Sequence, residues 1–318
     1  MQVQQEPLGN LSSEVKQCFA ALGPVWGRDI NAHRDRVIEA YTPLVAAARA
    51  SAEAAGEAIA CDRDMTYGAD PRQRLDVFVS HATRARGHAD VVMFVHGGAF
   101  LRGSKSFNGL IYDNVPRWFA RQGLVGVNVE YRLAPGASYP SGAQDVAAAL
   151  AWVRAHVAAY GGNPQRIFLV GHSAGGAHVA TYLCDPAFDG RQPDAVAGAV
   201  LISARLVADV LPDNPNAGGV RAYFGDDVAR HAERSPLTHA ARMTVPLMVV
   251  VAEFENPWLD VYGAAFFQRV LEARQRAGGT TAAPRFVQMR RHNHTSVVAH
   301  FDSGETLLGD AMLEFFAV

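Results

Sequence analysis

The stretch Arg166-Ile167-Phe168-Leu169-Val170-Gly171-His172-Ser173-Ala174-Gly175, continued by Gly176 to Leu183, decides the fold. Its first five residues are an apolar run that reads as a buried strand. The small residues after Gly175 read as a helix. Between them lies the pattern G-x-S-x-G. A turn this tight leaves no room for side chains beside the serine, which predicts glycine at 171 and 175. Such a turn lifts the Ser173 hydroxyl clear of the sheet. It also aims the first free N–H groups of the helix at whatever the serine attacks. The pentapeptide alone is weak evidence, because a glycine-rich turn with a capping serine would look the same. Three other segments decide between the two readings.

The first is His96-Gly97-Gly98-Ala99-Phe100, directly after the apolar run Val91 to Val95. Adjacent glycines let backbone N–H groups converge on one small volume. That is what an oxyanion needs when serine attacks a carbonyl. Gly98 and Ala99, with Ala174 after the serine, are the candidate donors.

The second is Glu253-Phe254-Glu255-Asn256-Pro257, after a strand ending at Val251. A carboxylate there can accept the N–H of a catalytic imidazole. Glu253, Glu255 and Asp260 compete for the role. Glu255, four residues past the strand end and just ahead of a proline, is preferred. Glu253 is the runner-up, and Asp260 reads as the start of the next helix.

The third is His292-Asn293-His294-Thr295, in the loop after the last strand. A general base must reach Ser173 from this loop. His294 is preferred because it lies one step deeper than His292 and precedes a helix start. A metal reading of His292, His294 and His300 lacks a carboxylate or cysteine at ligand spacing. No metal and no cofactor are expected.

The 318 residues suffice for one large α/β domain or two small ones, and 49% hydrophobic content suffices for a full core. The net charge of −2, from 29 basic and 31 acidic residues, comes without a basic patch, which argues against nucleic acid and anionic membranes. No apolar run approaches the ~18 residues of a membrane span. Met1 to Val15 is polar and has no signal core, so a cytoplasmic protein is expected. Cys18, Cys61 and Cys184 are widely spaced and fit reduced thiols. Cys61 lacks the glycine-rich turn and nearby histidine of a nucleophile.

Residues 1 to about 62 read as helical throughout, with Val37, Tyr41, Leu44, Val45 and Ala48 at helical spacing. Strands are expected at 74–79, 91–95, 124–129, 166–170, 198–202, 246–251 and 285–289. Helices are expected at 141–159, 259–277 and 305–316. Alternation of short apolar strands with helices predicts a mostly parallel sheet covered on both faces, with ligands beyond the strands' carboxyl ends. The organisation read from this is an N-terminal helical cap segment over 1–64 and a catalytic domain over 65–318. The polar excursion 205–242 would act as a lid.

These motifs resemble a known family. His96 to Phe100 looks like the HGGG oxyanion motif of hormone-sensitive-lipase-like esterases. Tyr131-Arg132-Leu133-Ala134-Pro135, followed by Pro140 and Asp145, matches their YRLAP segment, and Gly171 to Gly175 matches their elbow. Tyr223 to Asp227, Ser235-Pro236-Leu237 and His292 to Val298 also resemble the arylformamidase-like and feruloyl-esterase-like branch. The resemblance implies an α/β-hydrolase fold, in which the order serine, acid, histidine holds. Two departures stand out: Ala99 replaces the third motif glycine, and Glu255 replaces the usual aspartate. Arg132 and Asp145 are expected to form a structural ion pair.

The implied activity is that of a serine carboxylesterase working through an acyl-enzyme on small to medium, uncharged esters, aromatic ones included. The alternatives are an arylformamidase-like amide hydrolase and, of another class, a non-catalytic small-molecule-binding protein. Trp26, Phe100, Phe107, Tyr112, Phe224 and Trp258 are candidates to line an apolar pocket, with core packing as the competing role. The family often forms homodimers. Phe315 and Phe316 offer an apolar surface for one, although packing onto the sheet explains them equally well.

Overall fold

The computed structural model describes residues 7, 8, 11–279 and 282–317. Residues 1–6 of the polar N-terminal stretch lie outside them. Eight strands form one sheet: β1 (Ile59–Thr66), β2 (Arg74–Ser80), β3 (Ala89–Val95), β4 (Val125–Val129), β5 (Gly162–His172), β6 (Gly198–Ile202), β7 (Leu247–Phe254) and β8 (Arg285–Asn293). Their spatial order is β1-β2-β4-β3-β5-β6-β7-β8. The pairs β1/β2 and β2/β4 are antiparallel, and the remaining pairs are parallel.

Helices α1 (Ser13–Leu22) and α2 (Ile30–Ala54) precede the sheet. The crossovers are α3 (His81–Arg86), α4 (Asn114–Arg121), α5 (Ser141–His156) and α6 (Ala174–Cys184). Between β6 and β7 lie α7 (Ala217–Phe224) and α8 (His231–Arg234). Helix α9 (Leu259–Arg276) joins β7 to β8, and α10 (Ser296–Ala299) and α11 (Leu307–Phe316) follow.

Strands β4 and β6 are buried along their whole length, which is why they read as continuous apolar runs. One face of the sheet packs against Val146, Val153, Val179 and Phe266 from α5, α6 and α9. The other packs against Trp118, Phe119, Leu308 and Met312 from α4 and α11. Each such side chain removed from water is worth about 1.5–3 kcal/mol. A third cluster joins Phe19, Trp26, Val37, Tyr41 and Val45 of the N-terminal segment to Ile111 and Ala299 of the main body.

Strand β1 corrects the all-helical reading of the first 62 residues. It is an edge strand whose residues Asp62, Arg63 and Asp64 are exposed, so it carries no apolar alternation for sequence to reveal. Its place comes from backbone pairing with β2. The excursion 205–242 is also less polar in place than in sequence, because Leu206, Val220, Tyr223 and Phe224 are fully buried. Phe315 and Phe316 pack beneath the sheet, with Phe316 stacked on Phe168 at 4.1 Å between ring centres, so they offer no exposed surface to a second copy. Arg132 Nε lies 2.9 Å from Asp145 Oδ1, and the Arg132 N–H donates to Oδ2 at 2.8 Å, the ion pair expected. Among the described residues, no helix is long and apolar enough to cross a membrane.

Candidate active site

Parallel neighbours end side by side, so the loops after them meet. Val95 of β3 pairs with Gly171 of β5, His172 pairs with Ile202 of β6, and Phe254 of β7 pairs with Asn293 of β8. The residues that follow these ends are His96 to Ala99, Ser173, Ser203, Glu255 and His294. Topology thus collects at one edge what the chain spreads over about two thirds of its length.

The turn that carries Ser173 has φ 55° and ψ −117° at the serine, and Ala174 opens helix α6. A Cβ on Gly171 would lie 2.6 Å from the carbonyl oxygen of Gly175, and one on Gly175 would lie 2.2 Å from that of Val95. Both flanking glycines are therefore required by close backbone approach. The Ala174 N–H sits in the first turn, where no intrahelical acceptor exists. Gly98 and Ala99 line the same cavity as Ser173, and their N–H groups have no acceptor among the described residues. Ala99 holds a left-handed φ of 52° despite its Cβ, a conformation that costs about 1–2 kcal/mol.

His294 Nε2 lies 3.1 Å from Ser173 Oγ, and its Nδ1 lies 2.8 Å from Glu255 Oε2. The carboxylate can only accept, so Nδ1 carries the proton and Nε2 faces the serine as an acceptor. Glu255 Oε1 accepts from Ser203 Oγ and from the Ala252 N–H at 2.8 Å. The Glu255 side chain is 2% exposed, so its field acts on the imidazole with little screening.

The competing acids face elsewhere. Glu253 is exposed and accepts from the Arg291 N–H at 2.5 Å, and Asp260 caps its own turn through the Val261 N–H at 2.9 Å. His292 is turned away, with Nε2 2.9 Å from Glu305. His300 Nδ1 lies 2.9 Å from the Ser296 carbonyl oxygen.

Sequence reasoning missed a second layer. His172 Nε2 lies 2.9 Å from the His294 carbonyl oxygen, and His172 Nδ1 lies 3.2 Å from the Tyr112 hydroxyl. Burial, and then the neighbouring His294, push the His172 pKa well below the ordinary histidine value, so the ring is neutral. Nε2 then donates to the carbonyl, and Nδ1 accepts from Tyr112. Burial also pushes the Tyr112 hydroxyl up to about 12. Ser203 had a usable signal: it directly follows the strand adjacent to the elbow strand.

A cavity of about 280 Å³ opens over Ser173 and His294. Helix α2 contributes Ile30, Asn31, Arg34 and Ile38, and the loop before α4 contributes Phe107, Ile111 and Tyr112. From the excursion 205–242, only Asn216 reaches it. Phe107 and Tyr112 thus line the pocket as expected. Four expected pocket residues do not. Trp26 is 1% exposed and donates its indole N–H to Asn256 Oδ1 at 2.8 Å. Phe100 stacks on Tyr223 with ring centres 4.8 Å apart, and Phe224 packs edge-on against both. Trp258 is 43% exposed and its indole bonds Asp213 at 2.9 Å. Aromatic size marked these four as candidates, but each spends its surface on the core or on the outer face.

Residues 75–190 match the BD-FAE family. A probable isoprenylcysteine alpha-carbonyl methylesterase of Oryza sativa subsp. japonica, ICMEL1, is 38% identical over 118 residues, which is 37% of this chain and 26% of that protein. Esterase LipC of Mycobacterium tuberculosis is 40% identical over 114 residues, 36% of this chain and 27% of that one. The chain spans about a quarter of the length of these curated relatives. An esterase from Pyrobaculum calidifontis has the same fold, with a TM-score of 0.67 at 23% identity over 96% of this chain and 97% of that one. The chain has an α/β-hydrolase fold, and its residues 75–190 are similar to the BD-FAE family and to proteins named as esterases, the kind of likeness its motifs led one to expect.

Proposed function

We propose that the chain is a serine carboxylic ester hydrolase acting through an acyl-enzyme on small to medium esters. The observation that carries this is the continuous chain Ser173–His294–Glu255, with steps of 3.1 and 2.8 Å, opening into a cavity. Ser173 Oγ attacks the ester carbonyl while His294 Nε2 takes its proton. Negative charge develops on the carbonyl oxygen, which the N–H groups of Gly98, Ala99 and Ala174 stabilise. The intermediate collapses, His294 returns the proton to the leaving alcohol, and water then cleaves the acyl-serine by the same route. Glu255 keeps the proton on Nδ1 and stabilises the imidazolium. Helices α1 and α2 act as a cap that closes the cavity from above, and the excursion 205–242 contributes through Asn216.

Intact mass after treatment with a fluorophosphonate tests the nucleophile: one adduct on the wild type and none on Ser173→Ala is expected. Short-chain p-nitrophenyl esters should be cleaved faster than long-chain ones, and an aryl ester faster than the matching aryl formamide. An unlabelled wild type with no ester turnover would remove the enzymatic reading and favour a binding protein on this fold.

A further inference from the structure

The cavity has a charge pattern that ester hydrolysis alone does not require. Arg34 of α2 and Arg102, just after the oxyanion loop, both line it beside Ser173 and His294. Among the described residues, no aspartate or glutamate lines it. Arg102 is exposed, and the one hydrogen bond of its side chain among the described residues is a long 3.4 Å contact with Asn216 Oδ1. Arg34 is held by Asp35 Oδ1 at 2.8 Å and by Asn31 Oδ1 at 3.2 Å. The Asp35 side chain is 61% exposed, so this pair is screened by water and readily exchanged. The charge of Arg34 is felt inside the cavity, where it opposes the effect of burial on the Tyr112 hydroxyl.

We propose that the substrate carries a carboxylate beside its ester, bound by Arg102 and Arg34 while Ser173 attacks the ester carbonyl. This rests on the esterase reading and replaces the uncharged substrate expected from sequence. A carboxylate presents two coplanar oxygens that match the donor fork of a guanidinium. The other walls are apolar, formed by Ile30, Ile38, Phe107, Ile111 and Val298. A singly charged carboxylate on a hydrocarbon stem enters such walls at lower desolvation cost than a doubly charged phosphate. The substrate class is therefore the half-ester of a dicarboxylic acid, or the ester of a hydroxy acid.

Two substrate pairs test this and locate the charge. Monomethyl glutarate against methyl pentanoate puts the carboxylate on the acyl side. 3-Acetoxybenzoate against phenyl acetate puts it on the alcohol side. In at least one pair, kcat/KM should favour the acid by about ten-fold or more, mainly through KM. That ratio should fall towards one in Arg102→Gln and in Arg34→Gln, and should shrink as salt shortens the Debye length. Neutral esters cleaved as fast as the acids in both pairs would overturn the proposal while leaving the esterase reading intact. An acid preference that survives both substitutions would overturn it as well. No cleavage of the two acids by an enzyme whose Ser173 still takes the fluorophosphonate would overturn this proposal alone, whereas no cleavage of any of the four together with no adduct would overturn both readings.

Discussion

His172, the residue before the proposed nucleophile Ser173, donates from Nε2 to the backbone carbonyl of His294, the proposed base, across 2.9 Å. The elbow therefore grips the loop that must deliver the imidazole. Tyr112 completes the arrangement by supporting His172 from the other side at 3.2 Å. Replacing His172 with alanine should lower kcat about ten-fold with little change in KM, the size expected for losing one aligned hydrogen bond of about 1.4 kcal/mol. Tyr112→Phe should act in the same direction and less strongly. Steady-state kinetics on one short ester would check both. A pure KM effect would argue against a positioning role.

The proposed acid of the triad can be isolated by paired substitutions. Glu255→Gln removes the charge facing His294 Nδ1 and should reduce kcat by about 10²–10⁴-fold. Glu253→Gln should stay within about two-fold, because Glu253 is exposed and bonds only the Arg291 backbone among the described residues. Ser173→Ala should cost about 10⁴–10⁶-fold. Measuring the three variants on one ester gives the order; equal losses for the two glutamates would refute the assignment.

The N-terminal segment is tied to the site by the 2.8 Å bond from the Trp26 indole to Asn256, which directly follows Glu255. Trp26→Phe keeps an aromatic ring but leaves the Asn256 oxygen unpaired, and Asn256 is 4% exposed. The expected loss is about 1–2 kcal/mol in urea unfolding, with faster protease cleavage within α1 and α2. Wild-type protease resistance in the variant would show that the bond does not hold the segment down.

His178 is boxed by Phe100, Tyr131 and Tyr223, with ring centres 5.5, 4.7 and 5.0 Å away, and neither of its nitrogens has a hydrogen-bond partner among the described residues. Burial, assisted by His96, pushes its pKa down from 6.5 to about 3. Between those values the unfolded chain binds the proton and the folded chain does not. Its contribution is complete above pH 6.5 and is lost as pH falls towards 3, at about 1.4 kcal/mol per pH unit. His178→Leu should therefore flatten the stability profile, gaining about 1–2 kcal/mol on the wild type between pH 6.5 and 5 in urea unfolding. Parallel profiles would show that His178 does not titrate in this window.

Much of this site could be read locally. Gly171 and Gly175 are demanded by contacts within one turn and one neighbouring strand, and the preference for His294 followed from the loop after a strand and before a helix. The ambiguous acid shows the limit. Glu253 and Glu255 differ by one pleat, and the bulge between Ala252 and Phe254 in the β7/β8 pairing shifts the local register. Which carboxylate faced the imidazole was thus a matter of three-dimensional register.

The sequence by itself determined the strand–turn–helix unit around Ser173, the parallel core and the Ser, acid, His order, because steric demands of tight turns and buried strands act over a few residues. Only the tertiary structure decided the edge strand β1, whose apolar positions are interrupted by the exposed run Asp62-Arg63-Asp64, and which carboxylate faces His294. It also decided the fates of Trp26, Phe100, Phe224 and Trp258, and the placing of Arg34 and Arg102 on the walls of one cavity with Ser173. Those outcomes depend on how separate elements pack, and no local pattern records which surfaces distant segments will share.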